Sequence, residues 1–315
     1  MAGTASGRIG AALHESGAAE QLAAIELAES LGVATAWLTT GGVGPDAMGI
    51  FAAAAARTGR IGMGTAIVPV FPRHPLVLVQ QTLVVAGLAP GRFRLGVGPS
   101  HKPSVEQTFG IPFERPLEYL RDYVGVLRGA LQEGAVSFEG RRFTARGTVP
   151  APPGVPVLIS ALRPTSYRLA GAISDGAIAW VCPLPYLRDQ ALPALRAGAA
   201  SAGRGAPPLV AHCFVSVGED AAAVRRAAGE RLAGYARSYL YQEMFALAGF
   251  PEARQGTLSE RMLDAVVVHG DEDTVRAGLQ RYLDAGMDEV IASVLVAGDD
   301  RQAGLERTLR LLGTV

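Results

Sequence analysis

Short apolar runs alternate with longer segments of helical periodicity along most of the chain. The apolar runs predict eight strands, at residues 8–13, 34–39, 61–68, 92–97, 156–160, 177–181, 209–217 and 288–295. The longer segments predict eight helices, at residues 17–31, 46–58, 75–88, 115–132, 164–174, 186–202, 219–248 and 271–285. Such alternation is typical of an α/β fold, and we expect a (β/α)8 TIM barrel in a single domain over residues 1–315. A doubly wound sheet is the alternative, but eight units in one chain favour closure.

Two connections are longer than a compact barrel requires. Residues 98–114 follow the fourth predicted strand and residues 133–155 precede the fifth, and both are rich in Gly and Pro. We therefore expect insertions near 98–155 and 219–262, with extended loops at the C-terminal face. Because the loops after the strands build the active site of such barrels, residues 98–114 are predicted to border it.

The amino-acid composition argues against several classes of protein. Hydrophobic residues make up 49% of the chain and charged residues 18%, with zero formal net charge, which suits a large buried core and argues against nucleic-acid binding. Cys182 and Cys213 are too few for a disulfide framework. The N-terminus shows no signal-peptide pattern, and Arg57 and Arg60 interrupt the apolar stretch at 47–71. We expect a soluble, cytoplasmic protein without a membrane partner.

Two glycines end the fourth predicted strand, in the run "APGRFRLGVGPS" at 89–100. Gly96 and Gly98 lack a Cβ atom, so the backbone there can approach a ligand closely; a tight turn is the alternative. The third glycine of a Rossmann fingerprint is missing, and no P-loop is present. Conventional NAD binding is therefore unsupported.

The stretch around these glycines resembles a known family. The run "RIGMGTAIVPVFPRHPLVLVQQTLVVAGLAPGRFRLGVG" at 60–98 resembles the luciferase-like monooxygenase superfamily, and most of all its branch that uses the deazaflavin coenzyme F420. The segments 156–181 and 266–291 resemble later units of the same family. The resemblance implies a TIM barrel, a small-molecule substrate and a homodimer.

The resemblance also implies a cofactor site. In the family the third strand carries a bulge with a non-prolyl cis peptide behind the cofactor ring, and "GTAIV" places it at Ala66–Ile67, after Thr65. A regular trans strand with a proline exit is the alternative. The family holds the cofactor phosphate where the fifth strand meets its helix, which corresponds here to Ser160, Ala161, Leu162 and Arg163. A helix N-terminus suits an anion because its first N–H groups are free.

Candidate catalytic groups depart from the family pattern. Sugar-oxidising relatives carry a histidine in "W-x-S-D-H" after the second strand, whereas this chain reads "WLTTGG" with Gly41 at that position. Their acidic residue after the Gly-x-Gly turn is also absent, and His101 stands nearby. We take His14 and His101, which follow the first and fourth predicted strands, as candidate proton-transfer residues; solvated loop histidines are the alternative. No metal-binding cluster is evident, so no metal is predicted.

Other side chains are candidates for contact with cofactor or substrate. Thr39 and Thr40 are predicted to hydrogen-bond to the ring or the substrate. Trp180, Val181 and Cys182 end the sixth predicted strand and are candidate substrate contacts, with core packing as the alternative. A tyrosine run at 235–241 is more typical of core than of a lid, but it is also suited to cover an apolar substrate.

Three functions follow from these patterns. The first is an F420-dependent oxidoreductase that transfers a hydride, and the missing histidine favours reduction of an unsaturated small molecule. The second is an FMN-dependent monooxygenase of the same superfamily. The third is a barrel that binds a cofactor without catalysis.

Overall fold

Eight parallel strands pair in a closed ring, and the computed structural model describes residues 7–218, 220–297 and 301–315. The strands run in chain order as Ile9–Ala12 (β1), Thr35–Leu38 (β2), Gly62–Thr65 (β3), Val68–Pro69 (β4), Phe93–Gly98 (β5), Ala135–Glu139 (β6), Thr144–Thr148 (β7), Val157–Ala161 (β8), Gly176–Ala179 (β9), Leu209–Val217 (β10), Val267–Gly270 (β11) and Glu289–Val294 (β12). The ring order is β1, β2, β3, β5, β8, β9, β10 and β12, and β12 pairs back with β1. The predicted (β/α)8 TIM barrel is confirmed.

The helices lie between successive strands along the chain, and the last helix follows the last strand. They are Ala18–Ser30 (α1), Ala47–Arg57 (α2), Pro75–Leu88 (α3), Pro116–Arg128 (α4), Pro164–Ile173 (α5), Leu184–Tyr186 (α6), Leu192–Ser201 (α7), Ala221–Ala236 (α8), Tyr239–Leu247 (α9), Glu260–Asp264 (α10), Glu272–Asp284 (α11) and Arg301–Leu312 (α12). Proline at the first position begins α3, α4 and α5, where its missing N–H costs nothing. In the part of the chain that the structure describes, no helix is both long and apolar enough to cross a bilayer.

Several elements differ from the predicted ones. The helix predicted at 219–248 is two helices, because Ser238 adopts extended backbone between α8 and α9; residue 219 lies outside the described residues. The insertion at 98–155 contains the antiparallel hairpin β6–β7. Strand β11 was not predicted, and it pairs with Phe214–Val217 while β9 pairs with the start of β10. The strand predicted at 61–68 is interrupted between β3 and β4.

The barrel interior is closed near the N-terminal ends of the strands. The Trp37 indole fills this end, and a Cβ atom added at Gly10 or Gly64 would lie 2.7 or 2.5 Å from it. The Arg94 guanidinium stacks over the indole at 4.6 Å and pairs with Glu289, with an Nη2–Oε1 distance of 2.8 Å. Because these groups plug one end, open space is left at the C-terminal end.

Candidate functional site

A cavity of about 510 Å³ lies at the C-terminal ends of the barrel strands. Its volume is within the range of small-molecule sites. It brings together eleven of the residues singled out from the sequence, which come from segments far apart in the chain: His14, Thr39, Thr40, Ala66, Ile67, His101, Ser160, Ala161, Leu162, Arg163 and Trp180. The predicted loop at 98–114 borders the cavity through Pro99–His101 and Ser104.

Gly96, Gly98 and Thr65 do not line this cavity. The Gly96 N–H donates to Thr65 Oγ1 at 2.8 Å, and that hydroxyl donates back to the Gly96 carbonyl oxygen at 2.7 Å. A Cβ atom at Gly96 would lie 2.0 Å from the Thr65 carbonyl oxygen, and one at Gly98 would lie 2.1 Å from Ser160 Oγ. The absent side chains therefore make room for neighbouring strands, not for a ligand as the sequence suggested.

Val181 and Cys182 also lie outside the cavity, in contrast to Trp180 beside them. Both are fully buried. The Cys182 Sγ atom is 3.7 Å from the Tyr167 hydroxyl oxygen, and burial raises the pKa of this thiol to about 12. These two residues form the packed layer behind the cavity, so the structure does not place them for substrate contact.

One side of the cavity is formed by a cis peptide bond between Ala66 and Ile67, as the resemblance implied. The Ala66 N–H donates to the Leu38 carbonyl oxygen at 2.7 Å, and the Thr40 N–H donates to the Ile67 carbonyl oxygen at 3.1 Å. The Thr40 hydroxyl donates to Asp46 at 3.4 Å and accepts from the Ala47 N–H at 3.2 Å. Thr40 therefore stabilises the start of α2, whereas Thr39 is exposed beside the cavity.

The loop into α5 forms another side. Ser166 Oγ accepts the N–H groups of Leu162 and Arg163, each at 3.0 Å, and donates to the Arg163 carbonyl oxygen at 2.8 Å. Two of the four amides predicted to bind phosphate are thus already bonded. The Arg163 Nε atom, by contrast, is buried without a hydrogen-bond partner. An anion at this helix N-terminus would find a guanidinium group and the positive end of the helix dipole.

His14 is held by a partner from across the barrel. Its Nε2 atom lies 3.1 Å from Ser293 Oγ, and that oxygen lies 2.7 Å from Nε2 of the buried His212. Desolvation and the nearby Arg231 lower the pKa of His14 from 6.5 to about 4. Burial holds the pKa of His212 well below its ordinary value. Both imidazoles are therefore neutral at pH 7.

Aromatic side chains cover part of the cavity. The Trp180 ring stacks on His212 with centroids 3.7 Å apart, and its Nε1–H donates to the Tyr235 hydroxyl at 3.0 Å. The Tyr241 hydroxyl donates to the Trp180 carbonyl oxygen at 3.3 Å. The His101 ring lies 6.0 Å from both tyrosine rings, and desolvation lowers its pKa below the ordinary value. Trp180, His101 and the two tyrosines thus form an aromatic wall on one side of the cavity.

The formal charges of the lining are all positive. Arg163 and Arg231 line the cavity, and no Asp, Glu or Lys of the described residues does. Neither arginine forms an ion pair within the described part of the chain, so both cations are available to a ligand. Nor does any group of three or more His, Cys, Asp or Glu side chains in that part come together as a metal site would require.

Several lining residues were missed or left open by sequence reasoning. They are Arg231, Tyr235, Leu240 and Tyr241 from α8 and α9, Ser100 and Ser104 from the segment after β5, Pro116, Leu117, Thr165 and Ser166 from the first turns of α4 and α5, and Ile178 from β9. The tyrosine run at 235–241 pointed to this part of the cavity wall. In a single unbroken helix, however, these tyrosines would point in different directions around the helix. The break at Ser238 lets Tyr235 and Tyr241 meet with ring centroids 4.8 Å apart.

The fold and this cavity define a TIM barrel with its site at the C-terminal face. The model of the luciferase-like monooxygenase family matches residues 1–289. The chain belongs to this family.

Curated relatives extend over most of the chain. A 5,10-methylenetetrahydromethanopterin reductase from Methanolobus tindarius is 25% identical over 308 residues, covering 91% of this chain and 92% of the relative. An F420-dependent glucose-6-phosphate dehydrogenase from Nakamurella multipartita is 30% identical over 268 residues, covering 81% and 78%.

Solved structures share the fold. An F420-dependent secondary alcohol dehydrogenase with an F420–acetone adduct has a TM-score of 0.82 at 19% identity, covering 97% of this chain and 98% of its own. The oxygenating constituent of 3,6-diketocamphane monooxygenase from Pseudomonas putida, with FMN, has a TM-score of 0.71 at 17% identity and covers 97% of each chain.

Proposed function

We propose that this protein is an F420-dependent oxidoreductase that transfers a hydride between the coenzyme and a small organic substrate, in the direction that reduces an unsaturated bond. The observation that carries the proposal is the cavity itself, which is lined both by the cis Ala66–Ile67 peptide and by two arginines that form no ion pair within the described residues. F420-dependent enzymes among the curated relatives support the same choice.

The residues present fit this coenzyme. The Ala66–Ile67 wall is where the resemblance seats the ring, and Arg163 lies where it seats the phosphate. Arg163 Nε is a buried donor without a partner, and a phosphate oxygen would satisfy it. Thr165 adds a hydroxyl at the same helix terminus. Ser166 holds this loop together, because its hydroxyl oxygen accepts the N–H groups of Leu162 and Arg163.

Reduced F420 supplies a hydride when it is bound. The chain would orient the substrate against the ring with Ile67, Leu117, Ile178 and Leu240, and Trp180 with its tyrosine partners would exclude water. His14 and His101 are the two imidazoles that line the cavity, which supports a role for them in holding or moving a proton at the substrate.

A neutral, rather apolar substrate fits better than a sugar phosphate. A Cβ atom added at Gly41 would meet nothing within 4 Å, so the space that a histidine side chain would take in sugar-oxidising relatives is open here. No carboxylate of the described residues lines the cavity to bind sugar hydroxyls. The proposal is therefore reduction of an unsaturated bond in a small neutral molecule.

An FMN-dependent monooxygenase is the second candidate. The FMN-bound structural neighbour supports it, because both cofactors present a tricyclic ring and a phosphate to the same kind of barrel. The reaction would then consume oxygen and require reduced flavin from a partner reductase.

The test is a fluorescence titration of the purified protein with F420 and, separately, with FMN. We expect F420 to bind with a Kd in the micromolar range and FMN much more weakly. Arg163→Met should weaken F420 binding by about tenfold, because it removes a charge-assisted contact to phosphate. Arg168→Met is the matched control, since this arginine is exposed on the same helix and does not line the cavity. Tighter binding of FMN, or equal loss in both variants, would contradict the proposal.

A further inference from the structure

A chain of hydrogen bonds runs across the back of the cavity. The Val181 N–H donates to His212 Nδ1 at 3.3 Å. His212 Nε2 lies 2.7 Å from Ser293 Oγ, and Ser293 Oγ lies 3.1 Å from His14 Nε2. The four residues come from the end of β9, from β10, from β12 and from the loop after β1, so only the closed barrel brings them together.

The backbone N–H at the start of this chain determines which atom donates in each of the following hydrogen bonds. A backbone N–H can only donate, so His212 Nδ1 accepts and carries no proton while the ring is neutral. The ring is neutral because it is fully buried and stacked on Trp180. Its proton is therefore on Nε2 and is donated to Ser293 Oγ. Within the described residues, the Ser293 hydroxyl has only these two imidazoles as partners, so its own hydrogen is donated to His14 Nε2.

The same logic sets the tautomer of His14. A neutral imidazole that accepts at Nε2 carries its proton on Nδ1. Within the described residues, His14 Nδ1 has no hydrogen-bond partner, and the ring lines the cavity. The free nitrogen available to a ligand is thus an N–H donor, not a base.

We propose that His212 and Ser293 are positioning residues that hold His14 as a neutral Nδ1–H donor. This donor binds an acceptor oxygen of the substrate. The substrate is therefore a carbonyl compound. This inference rests on the proposed function. Hydride addition to the carbonyl carbon breaks the C=O π bond, and its electron pair moves to the oxygen. The His14 N–H stabilises that oxygen, and a proton drawn from water completes the alcohol.

The charged side chains around His14 do not form hydrogen bonds that would change its Nδ1–H tautomer. Arg231 and Glu230 approach from α8, Arg301 from α12, and Glu15 follows His14 in the chain. Each of these side chains lines the space on the other side of His14, and Arg231 also reaches the cavity. None of them forms a hydrogen bond to the His14 ring.

The tautomer is measured directly by two-bond ¹H–¹⁵N NMR on protein labelled in its histidines, without cofactor, at pH 7.5. His14→Asn assigns the signal. We expect His14 in the Nδ1–H form in the native chain, and a mixture of both forms in Ser293→Ala. His212→Asn should act like Ser293→Ala, because its amide oxygen can still accept from Val181 but it cannot reach Ser293. His212→Gln places an amide N–H where Nε2–H stood and should retain the native tautomer.

Ser174→Ala is the control for loss of a buried, hydrogen-bonded serine elsewhere, and it should leave the His14 signal unchanged. An Nε2–H form in the native protein, or an unchanged tautomer in both Ser293→Ala and His212→Asn, would overturn the positioning role.

For the substrate class, cyclohexanone should shift the His14 Nδ1 signal of F420-loaded protein, and methylenecyclohexane should not. Equal responses to the two probes, or none, would overturn that part. Because the tautomer is read without cofactor, a failure of the F420 assignment leaves that measurement valid.

Discussion

His14 shows how burial turns an ordinary loop histidine into a neutral group. Desolvation inside the barrel mouth and the cation of Arg231 both disfavour its protonated form. The unfolded chain solvates the imidazolium freely, so it binds a proton at a pH where the folded chain does not. Protonation of His14 therefore favours the unfolded state, and stability rises with pH between about 4 and 6.5.

This difference predicts a pH-dependent stability. When the pH falls from 7 to 5, the free energy of unfolding of the native chain should fall by about 2 kcal/mol more than that of His14→Asn, which has no group to protonate. Urea unfolding at both pH values measures it. The carboxylates titrate alike in both proteins and cancel in the comparison. Equal losses in the two proteins would show that His14 is not held neutral.

At the scale of elements, the glycines at the end of β5 decide how closely three strands approach. Gly96 faces the Thr65 backbone of β3, and Gly98 faces Ser160 of β8. Their neighbours Thr65 and Ser160 belong to the strands that lead to the cis peptide and to the α5 loop. The spacing of both cavity walls therefore depends on two missing side chains that do not line the cavity themselves.

We expect Gly96→Ala to lower the free energy of unfolding by at least about 2 kcal/mol, because its Cβ atom would clash with a backbone oxygen that cannot move alone. Gly49→Ala is the matched control. A Cβ atom there meets nothing within 4 Å inside helix α2, so this change should raise stability by about 0.5–1 kcal/mol. Thermal and urea unfolding measure both, and similar effects of the two substitutions would refute the packing argument.

At the scale of the whole molecule, helix α3 exposes an apolar row on the outside of the barrel. Val77, Val84 and Leu88 are 43%, 53% and 48% exposed and lie on one face of the helix. Burial of such a row against a second copy would remove apolar surface from water. We therefore predict that α3 is the contact surface of the homodimer expected from the family resemblance.

We predict that the native chain is a dimer by light scattering and that Val84→Glu shifts it toward monomer, because a carboxylate would be buried at the contact. The exposed Arg121→Glu on α4 is the control for an added negative charge on another helix. A monomeric native chain, or a dimer unaffected by Val84→Glu, would exclude α3 as the interface.

The pattern of the sequence by itself determined the barrel and the approximate position of its walls. Eight apolar runs of strand length alternate with helical segments, and local periodicity is enough to predict each of them because it reports which residues must leave water. The resemblance at 60–98 placed the cis peptide at Ala66–Ile67, and the resemblance at 156–181 pointed to Arg163, since each belongs to a contiguous motif.

Only the tertiary structure decided which side chains face each other across the barrel. Ser293 is 279 residues from His14 and 81 from His212, and no local pattern joins them. Closure of the barrel also buried Cys182 while leaving Trp180 at the cavity, although the two residues are separated by one position. The physical reason is that periodicity reports how deeply a residue is buried, whereas the partner across the barrel depends on ring order, strand register and the breaks between helices.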